Sequence, residues 1–262
     1  MKKLQKGIGV MVVCALLVGM LCGQGVSVHA ALNTVTPAEI VHCYSALDAV
    51  SYAAEWHDKF NLDYGNYTNS GGDCANFASQ CVFAGGLRTT TSAQTTSPWA
   101  PRRTLWTSSS NLRNFLRTVS YATIVDGTKT SLKVSDLRNG DLIFYRWTGE
   151  YVENEEYTYH HTGVIYTNDS GVKRVYHHSY SDGETKWNLD ESCKISLAKI
   201  IRYGDVDGDE DVDSTDARLL LQYAVNKIDE TALDLTVGDI DYNGSVNSTD
   251  ARLTEQFAAG KL

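Results

Sequence analysis

The spacing of apolar side chains divides the chain into a helical part followed by a strand-rich part. Apolar positions three and four residues apart predict an amphipathic helix over residues 44–60 and a second helix over residues 111–119. Later apolar runs are short, rich in β-branched and aromatic residues, and bounded by turn residues; they cover residues 141–146, 161–166, 172–178 and 195–203. Asn-Asp-Ser-Gly at residues 168–171 predicts a hairpin turn. Helices followed by an antiparallel sheet predict an α+β domain.

Residues 71–86 are bounded by paired glycines and consist mostly of small and apolar side chains. They predict a short buried helix with Asp73 at the N-cap position. Cys74 then lies in the first helical turn, where unpaired backbone N–H groups and the helix dipole favour a thiolate. We therefore predict that Cys74 is a nucleophile. Most cysteines are simply buried small residues, and we expect Cys81, in the middle of this helix, to be one of them.

The first thirty residues predict a secretory signal peptide. A positively charged start is followed by an apolar run at residues 8–22, which is short for a membrane span, and then by Val28-His29-Ala30, a small-residue cleavage pattern. The mature chain would begin near Ala31. No later run is long and apolar enough to span a membrane, so we expect a secreted protein without a membrane span.

The formal net charge of −9 argues against a nucleic-acid partner, and much of the acid lies in one segment. Residues 205–216 carry oxygen-bearing side chains with the spacing of a calcium loop, with a carbonyl available at position seven. The spacing repeats at residues 239–250, and both copies continue as Ser-Thr-Asp-Ala-Arg-Leu into a predicted helix. Two copies in register are not typical of a merely solvated turn. The candidate ligands are Asp205, Asp207, Asp209, Asp211, Asp213 and Asp216, then Asp239, Asp241, Asn243, Ser245, Asn247 and Asp250.

This repeat predicts two bound Ca²⁺ ions, and it also predicts that one loop is less regular. Position six of a calcium loop is usually a glycine, which eases the sharp turn, but the first loop has Glu210 there. We expect the first loop to bind calcium with a local strain of about 1 kcal/mol.

The run from Asp73 to Cys81, read with Gly85-Gly86, resembles the signature of the putative amidase domain family. This family is a branch of the papain-like cysteine peptidase superfamily, near the NlpC-type and CHAP cell-wall hydrolases. The residues from Tyr44 onward, and Gly140-Asp141 ahead of a strand, are similar as well, so the resemblance covers about residues 40–203. It implies a papain-like fold, in which the cysteine begins a helix packed on an antiparallel sheet and a histidine on a facing strand activates it.

The resemblance also assigns histidines by position. His161, which opens a strand, resembles the catalytic histidine, and the orienting group resembles His177 or His178. Because side chains alternate across a sheet, only one of that pair can face His161. We favour His178, since a His-Ser or His-Thr pair is usual there in the family. His160 is expected to face away from the site.

Residues 203–262 closely resemble a type I dockerin, a small all-α module that docks enzymes onto the cohesins of a cellulosome scaffold. The positions that dockerins use for cohesin contact occur once in each half, as Ser214 and Thr215 and as Ser248 and Thr249. The resemblance therefore implies a cohesin partner, and the repeat implies two related docking orientations.

These observations predict a signal peptide over residues 1–30, a papain-like amidase or peptidase domain over 31–202 and a dockerin over 203–262. The expected function is a secreted, cellulosome-associated cysteine hydrolase that cleaves an amide bond in peptidoglycan peptides. The alternatives are a cysteine protease acting on protein and a non-catalytic papain-like binding module. We expect no cofactor for catalysis, and we expect calcium to govern docking but not hydrolysis.

Overall fold

A computed structural model describes residues 43–70, 72–87, 106–147, 159–178, 183–188 and 193–261. The predicted signal peptide at residues 1–30 lies outside these ranges, so its prediction stays untested. Among the helices in the described ranges, none has the length and apolar character needed to cross a membrane.

In the part of the chain that the structure describes, helices precede the sheet, as the sequence predicts. Helix α1 is Ala46–Trp56, α2 is Cys74–Ala84 and α3 is Ser109–Thr118. Helix α1 begins at the N-cap Ser45, whose side chain accepts a hydrogen bond from Asp48 N at 3.0 Å. Helix α2 is buried almost throughout, which agrees with its small and apolar sequence.

The described strands form one six-stranded antiparallel sheet in the order β1-β6-β2-β3-β4-β5. Their bounds are β1 Ala122–Thr128, β2 Leu142–Trp147, β3 His161–Thr167, β4 Lys173–Tyr176, β5 Glu184–Lys186 and β6 Cys193–Ile200. The four predicted strands are β2, β3, β4 and β6. The predicted turn joins β3 to β4, with Gly171 N donating to the Asn168 carbonyl oxygen at 2.8 Å. Helices with an antiparallel sheet confirm the α+β class.

The two faces of the sheet are covered differently. Apolar side chains of α1, α2 and α3 pack on one face, against the sheet residues Leu142, Phe144, Val164, Ala198 and Ile200. The opposite face carries Ile143, Tyr145, Ile165, Val175, Ile195 and Leu197, which pack with Leu132, Leu137 and Trp187. We call these the helix face and the far face. Alternation along each strand decides which face a side chain occupies.

The C-terminal part is helical. Helix α4 is Ser214–Ala224 and α5 is Ser248–Ala258, and short 3₁₀ turns connect them. One small core contains Val206, Leu220, Leu233 and Ala251. A second contains Val212, Ile240 and Leu253 together with Cys43, which precedes α1. The C-terminal part therefore shares a core with the beginning of the described N-terminal part.

Candidate active site and calcium loops

The Cys74 thiol lies at the first position of α2, in a buried and partly polar environment. Its side chain is buried, and its Sγ is 3.7 Å from the Ser109 hydroxyl and 3.9 Å from the carbonyl oxygen of His160. Ser109 is the first residue of α3, and His160 immediately precedes β3. The sulfur is therefore enclosed by two helix beginnings and the start of a strand.

Asp73 occupies the predicted N-cap position, but its carboxylate makes no capping bond. Its Oδ1 accepts from Tyr67 N at 2.8 Å and from Asn76 Nδ2 at 3.0 Å, and its Oδ2 is 2.8 Å from His178 Nδ1. Asp73 thus fixes the loop that precedes α2 and binds a residue 105 positions later in the chain.

His178 lies on the helix face, between three elements. Its Nδ1 faces Asp73, its Nε2 is 2.6 Å from the Trp56 carbonyl oxygen, and its ring stacks on Phe77 with 4.1 Å between centroids. A carbonyl oxygen can only accept, so Nε2 must carry a proton. The contact of Nδ1 with Asp73 ties the residue that follows β4 by two positions to the loop before α2, and Asp73 directly precedes Cys74.

His161 lies on the far face, away from α2. It is paired with Tyr145 of β2, and it lies an even number of residues before Ile165, so its side chain points to the same face as those two residues. Its ring is 5.8 Å from the Tyr145 ring and 5.0 Å from the His177 ring. Burial, with a smaller contribution from His177, lowers the pKa of His161 to about 3. His161 is therefore neutral near pH 7.

The structure thus separates three residues that the sequence grouped together. The expected contact of Cys74 with His161 is not made, and neither is the expected contact of His161 with His178; strand alternation puts His161 on the opposite face from both. The argument that one of two adjacent histidines faces His161 holds, but that residue is His177. His160 is exposed, and its backbone, rather than that of His161, is adjacent to the sulfur.

Other side chains of the α2 motif hold the surrounding loops. Asn76 Nδ2 donates to the Gly65 carbonyl oxygen at 2.8 Å, the Ser79 hydroxyl donates to the Trp106 carbonyl oxygen at 2.8 Å, and Gln80 Oε1 accepts from the Tyr52 hydroxyl at 2.9 Å. Cys81 is fully buried, and burial raises its pKa, as expected for a core residue. Sequence reasoning missed the contacts of Asp73 and Ser109, because their partners lie far away in the chain.

The two predicted calcium loops each gather carboxylates. Oxygen atoms of Asp205, Asp207 and Asp209 lie within 4.8 Å of one another, and so do those of Asp239, Asp241 and Asp250. Asp216 is buried at the end of the first loop, and burial, with a contribution from the Asp207 carboxylate, raises its pKa to about 6. Crowded, partly buried oxygen ligands are what Ca²⁺ prefers, so both loops fit this ion.

The remaining predicted ligands make other contacts. The Asp211 carboxylate accepts from the Ser45 hydroxyl at 2.9 Å, which leaves its carbonyl for position seven. Asp213 and Asn247 are the N-caps of α4 and α5. Asn243 donates to Asp241, and Ser245 lies in the exposed second loop.

The four predicted cohesin-contact residues begin the two C-terminal helices. Ser214 and Ser248 are exposed, and Thr215 and Thr249 are half-buried. Equivalent positions in the two halves therefore have equivalent exposure.

Comparison with known proteins agrees with this organisation. The family model described as a putative amidase domain matches residues 43–201, and that described as a dockerin type I domain matches residues 203–256. The Bacillus subtilis (strain 168) protein YhbB, itself uncharacterized, is 26% identical over 167 residues, which cover 61% of this chain and 49% of YhbB. This chain thus spans about half the length of that relative. No solved structure matches the chain described here. The amidase model covers more than half of the chain, which therefore belongs to the putative amidase domain family and carries a type I dockerin behind that domain.

Proposed function

We propose that this chain is a secreted cysteine hydrolase that cleaves an amide bond with Cys74 as its nucleophile, in a papain-like domain. The observation that carries the proposal is the buried Cys74 thiol at the first position of α2, with its Sγ 3.7 Å from the Ser109 hydroxyl. The thiolate attacks the amide carbon, the C–S bond forms, and the leaving amine takes a proton from a histidine. Water then hydrolyses the thioester and regenerates the thiol.

An oxyanion forms in both steps and needs donors. The Cys74 backbone N–H is one donor, and we assign the Ser109 hydroxyl as the second. Its oxygen lies 3.7 Å from the sulfur, which is within reach of an oxygen attached to the carbon that the sulfur attacks.

The proton acceptor belongs to the His160-His161 pair at the beginning of β3. The family resemblance favours His161, whereas side-chain alternation at the start of β3 favours His160. His161 lies on the far face, so the His160 side chain is expected on the opposite side, and its backbone carbonyl oxygen is 3.9 Å from Cys74 Sγ. His178, which the sequence assigned as the orienting group, acts instead through Asp73: the pair holds the loop before α2 and the first residue of that helix in position.

The proposed substrate is the peptide part of peptidoglycan, on the strength of the family resemblance alone. The experiment is to incubate the full chain and its Cys74→Ala variant with purified peptidoglycan and, in parallel, with a denatured protein, and to analyse the products by mass. Release of peptidoglycan fragments by the native chain alone supports the proposal. Cleavage of the denatured protein instead would make the chain a protease. If neither is cleaved and iodoacetamide does not label Cys74, the domain is a binding module.

The dockerin implies a cohesin partner and association with an extracellular cellulosome, and type I dockerins bind calcium. We propose two ions and two docking orientations, one led by Ser214-Thr215 and one by Ser248-Thr249. Charged substitutions in either pair alone should then be tolerated, and substitutions in both should abolish cohesin binding. Calorimetry of the single and double variants with a cohesin tests this. Loss of binding from one single change would reject the two orientations.

A further inference from the structure

The first calcium loop contacts the amidase domain through its backbone. The Glu210 carbonyl oxygen accepts hydrogen bonds from Ala46 N at 3.1 Å and Leu47 N at 3.3 Å. These are the first two N–H groups of α1, and such groups have no acceptor within their own helix. Part of the N-terminal cap of α1 is therefore supplied by a residue more than 160 positions away.

Side chains of the same loop reinforce this cap. Glu210 Oε2 accepts from Asn139 Nδ2 at 2.8 Å, and Glu210 Oε1 lies 3.3 Å from Arg202 Nη1. The Asn139 amide is itself oriented by Lys173 Nζ, which donates to its oxygen at 2.8 Å. The neighbouring Asp211 accepts from Ser45, the N-cap residue of α1.

Comparison of the two loops indicates that Glu210 was kept for its contacts with the amidase domain rather than for the shape of the loop. The equivalent residue of the second loop is Gly244, and both residues have a positive φ, +83° for Glu210 and +87° for Gly244. Glycine adopts this conformation readily, whereas a residue with a side chain is strained there. The strained glutamate is the one that contacts the amidase domain, and the glycine lies in an exposed loop.

The candidate calcium ligands hold Glu210 in this conformation. Asp205 Oδ2 accepts from Glu210 N at 3.2 Å, and Asp205 is one of the three carboxylates that converge in the first loop. At its other end, α1 supplies the Trp56 carbonyl oxygen that bonds His178. A single helix thus connects the first calcium loop to the His178–Asp73 pair beside Cys74.

We propose that the first calcium loop has a second function: with Ca²⁺ bound, it caps α1 and stabilises the amidase domain. The inference rests on the calcium binding proposed above and not on the hydrolytic chemistry. It adds a stabilising role to the expectation from sequence that calcium governs docking but not hydrolysis. The second loop reaches the N-terminal part through apolar packing, with Ile240 in one core with Cys43. Among the described residues no hydrogen bond from this loop caps a helix of the amidase domain, so its ion should stabilise that domain less than the first ion does.

The test uses the tryptophan emission of the full chain. All five tryptophans precede residue 203, so their emission reports on the unfolding of the amidase domain alone. We compare thermal unfolding in calcium and in chelator for the native chain, for Asp205→Ala and for the matched Asp239→Ala, and we measure calcium binding by calorimetry. Calcium should raise the tryptophan-monitored midpoint of the native chain by about 5 °C. Asp239→Ala should keep most of this shift and Asp205→Ala should lose it.

Glu210→Gly is the second variant, because it keeps a foldable loop while removing the side-chain contacts to Asn139 and Arg202. It should bind calcium at least as well as the native loop, and its calcium-dependent shift should fall by about half, since the backbone cap remains. Equal shifts in Asp205→Ala and Asp239→Ala would overturn the inference. So would the absence of any shift in a native chain that binds two ions. If calorimetry detects no calcium binding, the proposed calcium binding fails together with the inference, whatever the chain hydrolyses.

Discussion

The two faces of the central sheet hold histidines in opposite kinds of surroundings. On the helix face, His178 is held between the Asp73 carboxylate and the Trp56 carbonyl, and Asp73 is followed directly by Cys74. On the far face, His161 lies against the rings of Tyr145 and His177. One face offers a hydrogen-bonded histidine and carboxylate next to a cysteine, and the other offers a buried neutral imidazole.

This difference shows that the position of a histidine in the sequence does not determine its chemical environment. His161 begins a strand next to the strand of a Gly-Asp motif, which is why it resembles a catalytic base. A base must nevertheless come within hydrogen-bond reach of the proton that it removes, directly or through one water. The register of β2 and β3 puts Tyr145 rather than Cys74 beside it. The predictions below test whether the chemistry belongs to the helix face.

The largest effect concerns the two cysteines of α2. Cys74→Ala should abolish hydrolysis and leave the fold intact, because it removes only the proposed nucleophile. Cys81→Ala is the matched control, since Cys81 lies in the same helix and is fully buried. It should keep the activity and lower the free energy of unfolding by about 1–2 kcal/mol. Activity assays and denaturant unfolding measure both, and reversed phenotypes would contradict the assignment.

The next effect distinguishes the two histidines at the start of β3. His160→Ala should lower kcat/KM by about 10²–10⁴-fold, as loss of a general base does, and it should slow alkylation of Cys74 by iodoacetamide. His161→Leu should lower kcat/KM by less than about tenfold, because His161 lies on the face of the sheet opposite Cys74. If His161→Leu were as damaging as Cys74→Ala while still folded, the assignment of the base to His160 would be rejected.

A smaller effect is expected at the Asp73–His178 pair. His178→Gln should lower kcat/KM by about 10–100-fold, because it loosens the loop before α2 without removing the nucleophile or the base. His57→Gln is a suitable control, since His57 follows α1 and stacks on Tyr176. Equal activity in the two variants would mean that the pair has no part in positioning Cys74.

Sequence patterns located most of the elements, but they did not assign side chains to faces. Short runs of β-branched and aromatic residues predict β2, β3, β4 and β6. Strand β1 has no comparable pattern because Asp126 and Gly127 interrupt it, and β5 has only three residues. The face of His161 depends on the register of β3 and on the side to which α2 packs, and both are set by contacts distant in the chain. The calcium loops are the reverse case, because the candidate ligands of each loop lie within twelve residues of sequence and their spacing alone predicts them.

The smallest effect is a dependence of stability on pH that belongs to the far face. In the folded protein, burial lowers the pKa of His161 to about 3, whereas an unfolded histidine titrates near 6.5. Above about pH 6.5 the residue is neutral in both states. Between about pH 6.5 and 3, the unfolded chain binds a proton that the folded chain does not. Stability should therefore fall as the pH falls, by up to about 1.4 kcal/mol per pH unit from this residue.

The comparison of native chain with His161→Leu isolates this contribution. Leucine has no proton to gain, so the variant should lose less stability between pH 6.5 and pH 4 than the native chain, when both are unfolded by urea and followed by tryptophan emission. Near pH 7 the difference between the two chains should not depend on pH, and it reflects the loss of the His161 contacts, among them those with Tyr145 and His177. Identical slopes would mean that His161 binds its proton as readily in the folded chain as in the unfolded one. In that case the far face would not be a neutral packing surface, and His161 would again be a candidate for proton transfer.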